Sequence, residues 1–502
     1  MDRFKLVHPF LFAITPILFL YGPNSDITPI NEILRPCLAV IAITLAALVG
    51  LAFLIGDGRK AAIVVTLYWT IFFAYGYLLT VAGASDLVKN RAWRFFWHPA
   101  AAMLLFLVFC TIAFVVFRSR YTRELGNFVS FAGLCMIVIQ ITEGIQAKLT
   151  VVPTLQKSIA IHSASKPLHR PHIFYIVLDA YGRSDVLRQL YQFDNTNFLD
   201  HLREKGFYVA TDSRSNYSQT YLSLASSLNF DYLDDVAGQV GTGSRQMSVL
   251  GNLIQTNQIV RFLREQGYRF VSFSSGVSLT EIRTADVFRD RLRFLNQFEY
   301  VLLQTTPIGQ LAVTSRFQES LHRQRISYIF EHLPDHASSR TPVFVFAHIL
   351  APHEPFVFGE AGEAVDDAGG RGFRLGSGPG SDYVMKYRRQ VQFVTKRVQR
   401  TIDEIVAQSF EPPIIVLQSD HGPAQRPSGE FGDLQERMSI LSAIHLPYGG
   451  SVLLYPEVTP VNTFRIILNH YFQTDLPLLK DKSFFSSYER PFEFFDVTNR
   501  IG

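Results

Sequence analysis

Side chains that can bind a metal ion stand at the ends of three strand-like segments of this 502-residue sequence. They are Asp179, His348, His353, Asp420 and His421. A lone Asp at the end of a strand is commonly a turn former or a helix cap, and a lone His is commonly a structural residue. The adjacent pair Asp420 and His421 is a stronger signal, because a carboxylate beside an imidazole suits a divalent cation. We therefore predict a metal site that includes this pair.

The second chemical signal is a stretch rich in hydroxyl groups, SRSNYSQTYLSLASSLNF (213–230), which becomes apolar at helical spacing. One interpretation is a core helix whose first turn is capped by Ser, Thr or Asn side chains. The other is that one hydroxyl is a nucleophile at the positively polarised start of that helix. Thr220, Ser218 and Ser223 are the candidate nucleophiles. The stretch alone leaves both interpretations open.

The elements that must position these residues are strands buried on both faces. Four segments are continuously apolar, which is typical of such strands: HIFYIVLDA (172–180), YRFVSFSS (268–275), PVFVFAHIL (342–350) and PIIVLQSDHG (413–422). Helical patterns separate them, the longest over 382–409. This alternation predicts an α/β domain with a mostly parallel central sheet and helices on both faces. In such sheets ligands gather at the carboxyl ends of the strands, where the candidate metal ligands lie.

The first 147 residues differ in texture from the rest of the chain. They contain apolar runs at roughly 8–21, 33–56, 61–83, 98–117 and 126–146. Most of these runs approach the ~20 residues that a helix needs to cross a bilayer, so we predict five transmembrane helices. Basic residues favour an inside N-terminus. Seven of them lie at the start or in the even-numbered loops, against three in the outer loops.

The predicted organisation is an N-terminal five-helix transmembrane bundle over 1–147, a polar linker along the membrane surface over 148–170, and an extracytoplasmic catalytic domain over 171–502. Cys37, Cys110 and Cys135 all lie in predicted spans, so the exported domain has no disulfide. The net charge of +4 is spread along the chain, which makes nucleic acid an unsuitable partner.

One stretch of low complexity, 359–382, is rich in glycine. It lacks the G-K-[ST] sequence of a phosphate-binding P-loop. A surface loop is the favoured interpretation, and a mobile lid is the alternative.

Four motifs together resemble a known family. YIVLDAYGRSD, NYSQTYLSLASSLN, HILAPHEPF and LQSDHGP follow the apolar runs in this order. The combination is similar to the alkaline phosphatase superfamily, and within it to the membrane-anchored sulfatase-like transferases. These are the lipoteichoic-acid synthases, the phosphoglycerol transferases and the lipid A phosphoethanolamine transferases. The resemblance covers the overall architecture and about residues 170–450, and the Asp-His-Gly step is its most specific motif.

The resemblance implies a role for each candidate residue. It makes Thr220 the nucleophile, because TYLSLAS follows the T-x-x-S-x-x-[CS] rhythm of the family. It implies one divalent metal ion held by Asp179, Thr220, Asp420 and His421. It further implies that His353 contacts the substrate phosphate, with His348 beside it. Zinc suits this ligand set best, and manganese or magnesium are the alternatives.

The sequence also departs from relatives in the superfamily. Sulfatases carry C-x-P-x-R, whose first residue becomes formylglycine, whereas this chain has TYLSL, so sulfate-ester hydrolysis by that route is not expected. The first carboxylate is Asp179 where the transferases usually have Glu. The lipid A enzymes tend to have disulfides in the exported domain, and this chain has none there. For His445 we favour a structural role over a role as a further ligand.

The predicted function is transfer of phosphoethanolamine or phosphoglycerol from a membrane phospholipid to an envelope glycan or glycolipid, through a covalent intermediate on Thr220. The predicted location is a bacterial inner membrane, with the catalytic domain in the periplasm. One alternative is a phosphodiesterase, phosphatase or sulfatase-type hydrolase of the same superfamily. The other is a non-enzymatic lipid-sensing membrane protein.

Overall fold

The computed structural model describes residues 6–25, 28–83, 91–149, 169–291, 295–311, 315–365, 381–423 and 433–501. The predicted linker therefore falls almost wholly outside the described residues, as does the centre of the glycine-rich loop. The chain divides into two compact units. The helical unit comprises Met1–Val151 and Phe294–Phe317, and the α/β unit comprises Val152–Arg293 and Gln318–Gly502.

The helical unit contains five long helices at the positions of the five apolar runs: α1 (His8–Tyr21), α2 (Asn31–Ile55), α3 (Gly58–Gly83), α4 (Arg91–Arg118) and α5 (Thr122–Leu149). In the described residues, two helical stretches, Asn31–Ile55 and Thr122–Thr142, are long and apolar enough to cross a membrane. Large apolar side chains such as Leu38, Phe53 and Phe128 are exposed on these helices, as expected of a surface that faces lipid. Spanning by all five helices remains a prediction.

The remaining helices are α6 (Ser184–Tyr191), α7 (Thr196–Glu204), α8 (Thr220–Asn229), α9 (Asp234–Val240), α10 (Ser248–Gln255), α11 (Gln258–Glu265), α12 (Gln297–Gln304), α13 (Pro307–Leu311), α14 (Ser315–His332), α15 (Ser381–Gln408), α16 (Leu434–Met438) and α17 (Pro460–Phe472). The strands are β1 (Ile173–Leu178), β2 (Tyr208–Val209), β3 (Arg269–Phe273), β4 (Val287–Arg289), β5 (Val343–Ile349), β6 (Ile414–Ser419), β7 (Ser442–His445), β8 (Phe484–Phe485) and β9 (Phe495–Asp496).

The α/β unit is built on a seven-stranded sheet in the order β2-β7-β6-β1-β5-β3-β4. Strands β6, β1, β5, β3 and β4 are mutually parallel, while β7 is antiparallel to β6 and β2 to β7. This confirms the predicted mostly parallel sheet. In the register of the three central strands, Leu178 lies opposite Ile349 on one side and Ser419 on the other. Their carboxyl ends are therefore level, and the residues that follow them start at one edge.

Both faces of the sheet are buried, which explains why its strands are apolar without alternation. Ile173, Tyr175 and Val177 belong to one core cluster, which they share with side chains of α8, α10, α11 and α17. The alternate residues of β1 belong to the opposite cluster, which they share with side chains of α6, α7, α14 and α15. The fold is thus the predicted three-layer arrangement.

Helices α12 and α13 lie between β4 and α14 in the chain but belong to the helical unit. Asn296 and Glu299 form a capping box at the start of α12. The Glu299 carboxylate also pairs with the Arg35 guanidinium of α2, and the Asn296 amide donates to the Glu32 carbonyl at 3.2 Å. These contacts attach α12 to the beginning of α2.

Candidate active site

Three neighbouring strands bring the candidate ligands to one point. Asp179 directly follows β1, Asp420 directly follows β6, and His348 is the sixth residue of β5. One ligand atom from each of these three residues lies within 4.8 Å of the others. All three side chains are buried. The level carboxyl ends of β6, β1 and β5 are the physical reason for this convergence.

His421 joins the same cluster through its Nε2 atom. This atom lies 3.6 Å from Asp179 Oδ1, 3.4 Å from Asp420 Oδ2 and 3.0 Å from Thr220 Oγ1. The other ring nitrogen, Nδ1, lies 2.9 Å from the Gly422 carbonyl, which can only accept a hydrogen bond. Nδ1 therefore carries the proton and Nε2 presents its lone pair. Burial lowers the pKa of His421 well below its ordinary value, which keeps the imidazole neutral.

Thr220 is the first residue of α8, and the preceding Gln219 is extended, as is usual for an N-cap residue. Thr220 lines an open cavity together with Asp179, His348, His353 and His421. The backbone N–H groups of the first helical turn point toward this end of α8, so the helix start favours negative charge there.

The two other hydroxyls proposed for the nucleophile do not line this cavity. Ser223 is buried and its Oγ donates to the Asp420 carbonyl at 2.7 Å. Ser218 is also buried, and its Oγ accepts a hydrogen bond of 3.4 Å from the Ser486 N–H. Both side chains thus support backbone around the site, and Thr220 is the hydroxyl that a substrate in the cavity would meet.

The electrostatics of the cluster match a divalent cation. Burial and the neighbouring Asp179 charge raise the pKa of the Asp420 carboxyl to about 6. Burial alone would raise the pKa of Asp179. The surrounding imidazoles have a larger, opposite effect, in which His353 has the largest single influence, so the pKa of Asp179 lies below its ordinary value. In the described part of the chain, Asp179 Oδ1, Asp420 Oδ2 and both ring nitrogens of His348 have no hydrogen-bond partner.

Buried carboxylate oxygens and imidazole nitrogens without partners are costly, since each has lost its contact with water. A bound cation would satisfy these atoms and offset the repulsion between the two carboxylates. The residues present therefore fit a divalent metal ion. His348, which the sequence placed beside the substrate phosphate, stands among the ligand atoms, 3.5 Å from Asp179 Oδ2, and also borders the cavity.

His353 lies in the loop after β5 and faces the same cavity. Its backbone N–H donates to the Asp179 carbonyl at 3.0 Å, and its Nδ1 lies 2.5 Å from the Glu354 carbonyl. Since that carbonyl accepts from Nδ1, the Nε2 atom is left to interact with a ligand. This arrangement suits the predicted contact with a substrate phosphate.

His445 lies away from these residues. It is the last residue of β7, opposite Ile415 near the amino end of β6, and its Nδ1 bonds to the Pro413 carbonyl at 2.7 Å. The cluster gathers at the carboxyl end of β6, so this geometry suits a structural role for His445.

Two residues that hold the site together carry no signal in the sequence. Gln390 of α15 accepts from the Val357 N–H at 2.7 Å and donates to the His353 carbonyl at 2.8 Å, which fixes the loop containing His353. Arg437 of α16 donates to the Ser218 carbonyl at 2.7 Å and to the Gly422 carbonyl at 3.2 Å. Each joins segments that are far apart in sequence, so no local motif could have indicated it.

Steric constraints explain why residue 422, the last of the Asp-His-Gly step, is a glycine. A Cβ atom at Gly422 would lie 2.0 Å from the Glu436 carbonyl oxygen, far inside van der Waals contact. The Gly422 N–H donates to the Arg437 carbonyl at 2.7 Å at this close approach. The glycine therefore lets the turn after His421 pack against α16.

A family model described as Sulfatase matches residues 171–464, which is more than half of the chain. The chain belongs to the sulfatase family, and it is an enzyme of the alkaline phosphatase superfamily. A search of curated proteins gives no significant match.

The chain is also similar to several solved structures. The integral membrane protein lipooligosaccharide phosphoethanolamine transferase A from Neisseria meningitidis is 11% identical, with a TM-score of 0.41, and the match covers 93% of this chain and 95% of that one. The C-terminal periplasmic domain of EptC from Escherichia coli, in complex with Zn, is 12% identical, with a TM-score of 0.44, covering 68% of this chain and 96% of that one. The periplasmic domain of phosphoethanolamine transferase EptC from Campylobacter jejuni is 11% identical, with a TM-score of 0.38, covering 61% and 91%.

Proposed function

We propose that this protein is a metal-dependent transferase that moves a phospholipid-derived headgroup, phosphoethanolamine or phosphoglycerol, to an envelope glycan or glycolipid. The observation that carries the proposal is the position of Thr220. Its hydroxyl starts α8, lies 3.0 Å from His421 Nε2 and borders the cavity beside the Asp179 and Asp420 carboxylates. A hydroxyl in this position is placed for covalent catalysis at phosphorus.

The chain's own residues suit the first step of such a reaction. The Thr220 hydroxyl stands at the positively polarised start of α8, which favours loss of its proton as Oγ attacks phosphorus. The new Oγ–P bond replaces the P–O bond to diacylglycerol, and the diacylglycerol oxygen leaves with a proton. His353 and the first N–H groups of α8 face the place where negative charge builds on the phosphoryl oxygens.

In the second step an acceptor hydroxyl attacks the same phosphorus. Its new O–P bond replaces the bond to Thr220 Oγ, which regains a proton. Asp179, Thr220, Asp420 and His421 would hold the metal ion, with His348 adjacent, and zinc is the ion that we propose. When bound, this ion supplies positive charge that stabilises a deprotonated hydroxyl and the phosphoryl oxygens.

The helical unit supports a donor that resides in a membrane. Headgroup transfer requires the site to work at a bilayer surface, whereas hydrolysis of a soluble ester does not. We propose a bacterial inner membrane with the α/β unit in the periplasm, on the basis of the basic residues that favour an inside N-terminus.

The experiment that tests the proposal is intact mass spectrometry of the full chain in detergent. The protein is incubated with a divalent metal and a mixture of phosphatidylethanolamine and phosphatidylglycerol. We expect a covalent adduct on wild type and on Ser218→Ala, whose lost hydroxyl only accepts a long hydrogen bond, and none on Thr220→Ala. The adduct mass identifies the transferred headgroup.

The same samples distinguish the alternatives. Headgroup released into solution without an adduct would favour a hydrolase that passes the intermediate to water. Sulfate release from an aryl sulfate would favour the sulfatase alternative. An adduct of unchanged yield on Thr220→Ala would contradict the assignment of the nucleophile.

A further inference from the structure

Three helices of the helical unit begin around one small cleft. Helices α1, α3 and α5 start at His8, Gly58 and Thr122 and contain 14, 26 and 28 residues. The cleft is lined by His8, Arg59, Thr122, Arg123, Gly126 and Asn127. Helix starts carry partial positive charge, which favours an anion beside them. The start of α3 is already capped by the Asp57 carboxylate, which accepts from the Arg59 and Lys60 N–H groups.

His8 supplies an independent sign of a missing ligand. The side chain is 1% exposed, and its Nδ1 lies 2.6 Å from Thr66 Oγ1. Its Nε2 has no hydrogen-bond partner among the described residues. This atom faces the cleft, because a Cβ atom at Gly126 would lie 3.7 Å from it. A buried ring nitrogen that borders a cavity and has no partner is one that a polar ligand would satisfy.

The charges of the cleft point in the same direction. Arg59 and Arg123 lie in the first turns of α3 and α5, where a positive side chain adds to the positive charge of the helix end. In the described part of the chain, neither guanidinium forms an ion pair. The acidic groups nearby in sequence are Asp57 and Glu124, and neither lines the cleft. The Asp57 carboxylate instead accepts from the Arg59 backbone N–H at 2.8 Å.

The cleft is distinct from the candidate active site. It lies at the end of the helical unit where α1, α3 and α5 begin. None of its lining residues belongs to the α/β unit.

We propose that this cleft binds a phosphate group, as carried by the headgroup of an anionic phospholipid in the inner leaflet. Two guanidiniums beside the starts of α1 and α5 match the charge and the several oxygen atoms of a phosphate. The His8 ring meets the remainder of the ligand. Nε2 donates to a phosphate oxygen when protonated, and it accepts from a headgroup hydroxyl when neutral.

The test is native mass spectrometry of the full chain in detergent, titrated with short-chain phosphatidylglycerol. The site variant is Arg59→Gln with Arg123→Gln. The control is Arg118→Gln with Arg120→Gln, which removes the same charge. Those two guanidiniums lie over the rings of Phe114 and Tyr121, at 5.1 Å in each case, and outside the cleft. We expect the site variant to bind about tenfold more weakly than wild type and the control to bind within about twofold of it.

A second variant, Gly126→Leu, keeps both arginines and tests the cleft by filling it. It should also bind the lipid more weakly. Its elution on size exclusion and its melting temperature show whether it is folded. Equal binding by the site variant and wild type would overturn the proposal, and so would equal losses in the site variant and the control.

Inorganic phosphate, added as a competitor, distinguishes the two sources of the phosphate group. Displacement of the lipid at millimolar phosphate would assign the cleft to free phosphate, and retention of the lipid would assign it to a headgroup. If wild type bound neither probe, the proposal would fail.

Discussion

Thr220 and Ser223 are one helical turn apart, yet the structure gives their hydroxyls different tasks. Thr220 Oγ1 faces the cavity and His421, while Ser223 Oγ is used entirely in holding the Asp420 backbone carbonyl. We therefore expect Thr220→Ala to abolish headgroup transfer. Ser223→Ala should leave measurable turnover and cost about 1 kcal/mol of stability, the usual value of one buried hydrogen bond. Initial rates and melting temperatures of both variants check this, and equal loss of activity in both would contradict it.

A buried imidazole near the site predicts a pH dependence of stability. Burial and then the Arg325 charge lower the pKa of His322 to about 3, and the ordinary value is 6.5. Between these values the unfolded chain binds a proton that the folded chain excludes. His322 therefore does not lower the free energy of unfolding above pH 6.5. Below pH 6.5 it lowers the free energy of unfolding by up to ~1.4 kcal/mol for each unit that the pH falls.

His322→Gln should flatten this loss, since glutamine does not titrate. Melting of the full chain between pH 7 and pH 4.5 is the measurement, with His169→Gln at an exposed position as the control. A slope that is the same in His322→Gln and wild type would show that His322 is not excluded from protonation in the folded protein.

At the scale of elements, one helix fixes two of the loops that form the site. Tyr387 and Gln390 are one turn apart on α15. The Tyr387 hydroxyl donates to the Ala180 carbonyl at 2.8 Å, directly after Asp179, and Gln390 holds the loop that contains His353. The position of α15 on the sheet thus sets the distance between a candidate ligand and a candidate substrate contact.

Gln390→Leu should therefore reduce turnover as well as stability. The change leaves the Val357 N–H and the His353 carbonyl without their partner, and unsatisfied buried groups cost ~1–3 kcal/mol each. We expect a fall in kcat of roughly tenfold, the consequence of a misplaced positioning loop. Steady-state kinetics compares this variant with Gln408→Leu, at the exposed end of the same helix. Normal kcat in Gln390→Leu would show that the loop is fixed by other contacts.

Helix α12 offers a separate test of how residues 294–317 are held. Glu299→Gln keeps a side chain that can complete the capping box but removes the pairing with Arg35, whereas Glu299→Ala removes both. Loss of a cap costs ~1 kcal/mol, so Glu299→Ala should be the less stable of the two variants. Melting of the full chain in detergent ranks the two, and the opposite order would contradict the role of the capping box.

At the scale of the whole molecule, the sequence predicted the features that depend on the strands, which are the buried sheet and the edge where the candidate ligands lie. Continuous apolar runs such as 172–180 indicated a sheet buried on both faces, and the ends of β1, β5 and β6 indicated where the candidate ligand side chains converge. It could not indicate that α12 belongs to the helical unit, because an apolar helix face does not specify which surface covers it. Nor could it indicate Gln390 and Arg437, whose partners lie in distant segments.

The same long-range convergence predicts that the proposed metal ion stabilises the fold as well as taking part in the chemistry. Without a cation, the buried Asp179 and Asp420 carboxylates repel one another, and this repulsion contributes to the raised pKa of Asp420. We therefore expect a chelator to lower the melting temperature of wild type and zinc to restore it, since a ligand that binds only the folded state stabilises it.

The change in melting temperature caused by Asp420→Asn should have opposite signs in chelator and in zinc. Because asparagine removes the repulsion, this variant should melt higher than wild type in chelator, lower than wild type in zinc, and show little response to zinc. Scanning calorimetry of both proteins under both conditions makes the comparison, and a wild-type melting temperature that ignores both chelator and zinc would place the metal ion elsewhere or nowhere in the chain.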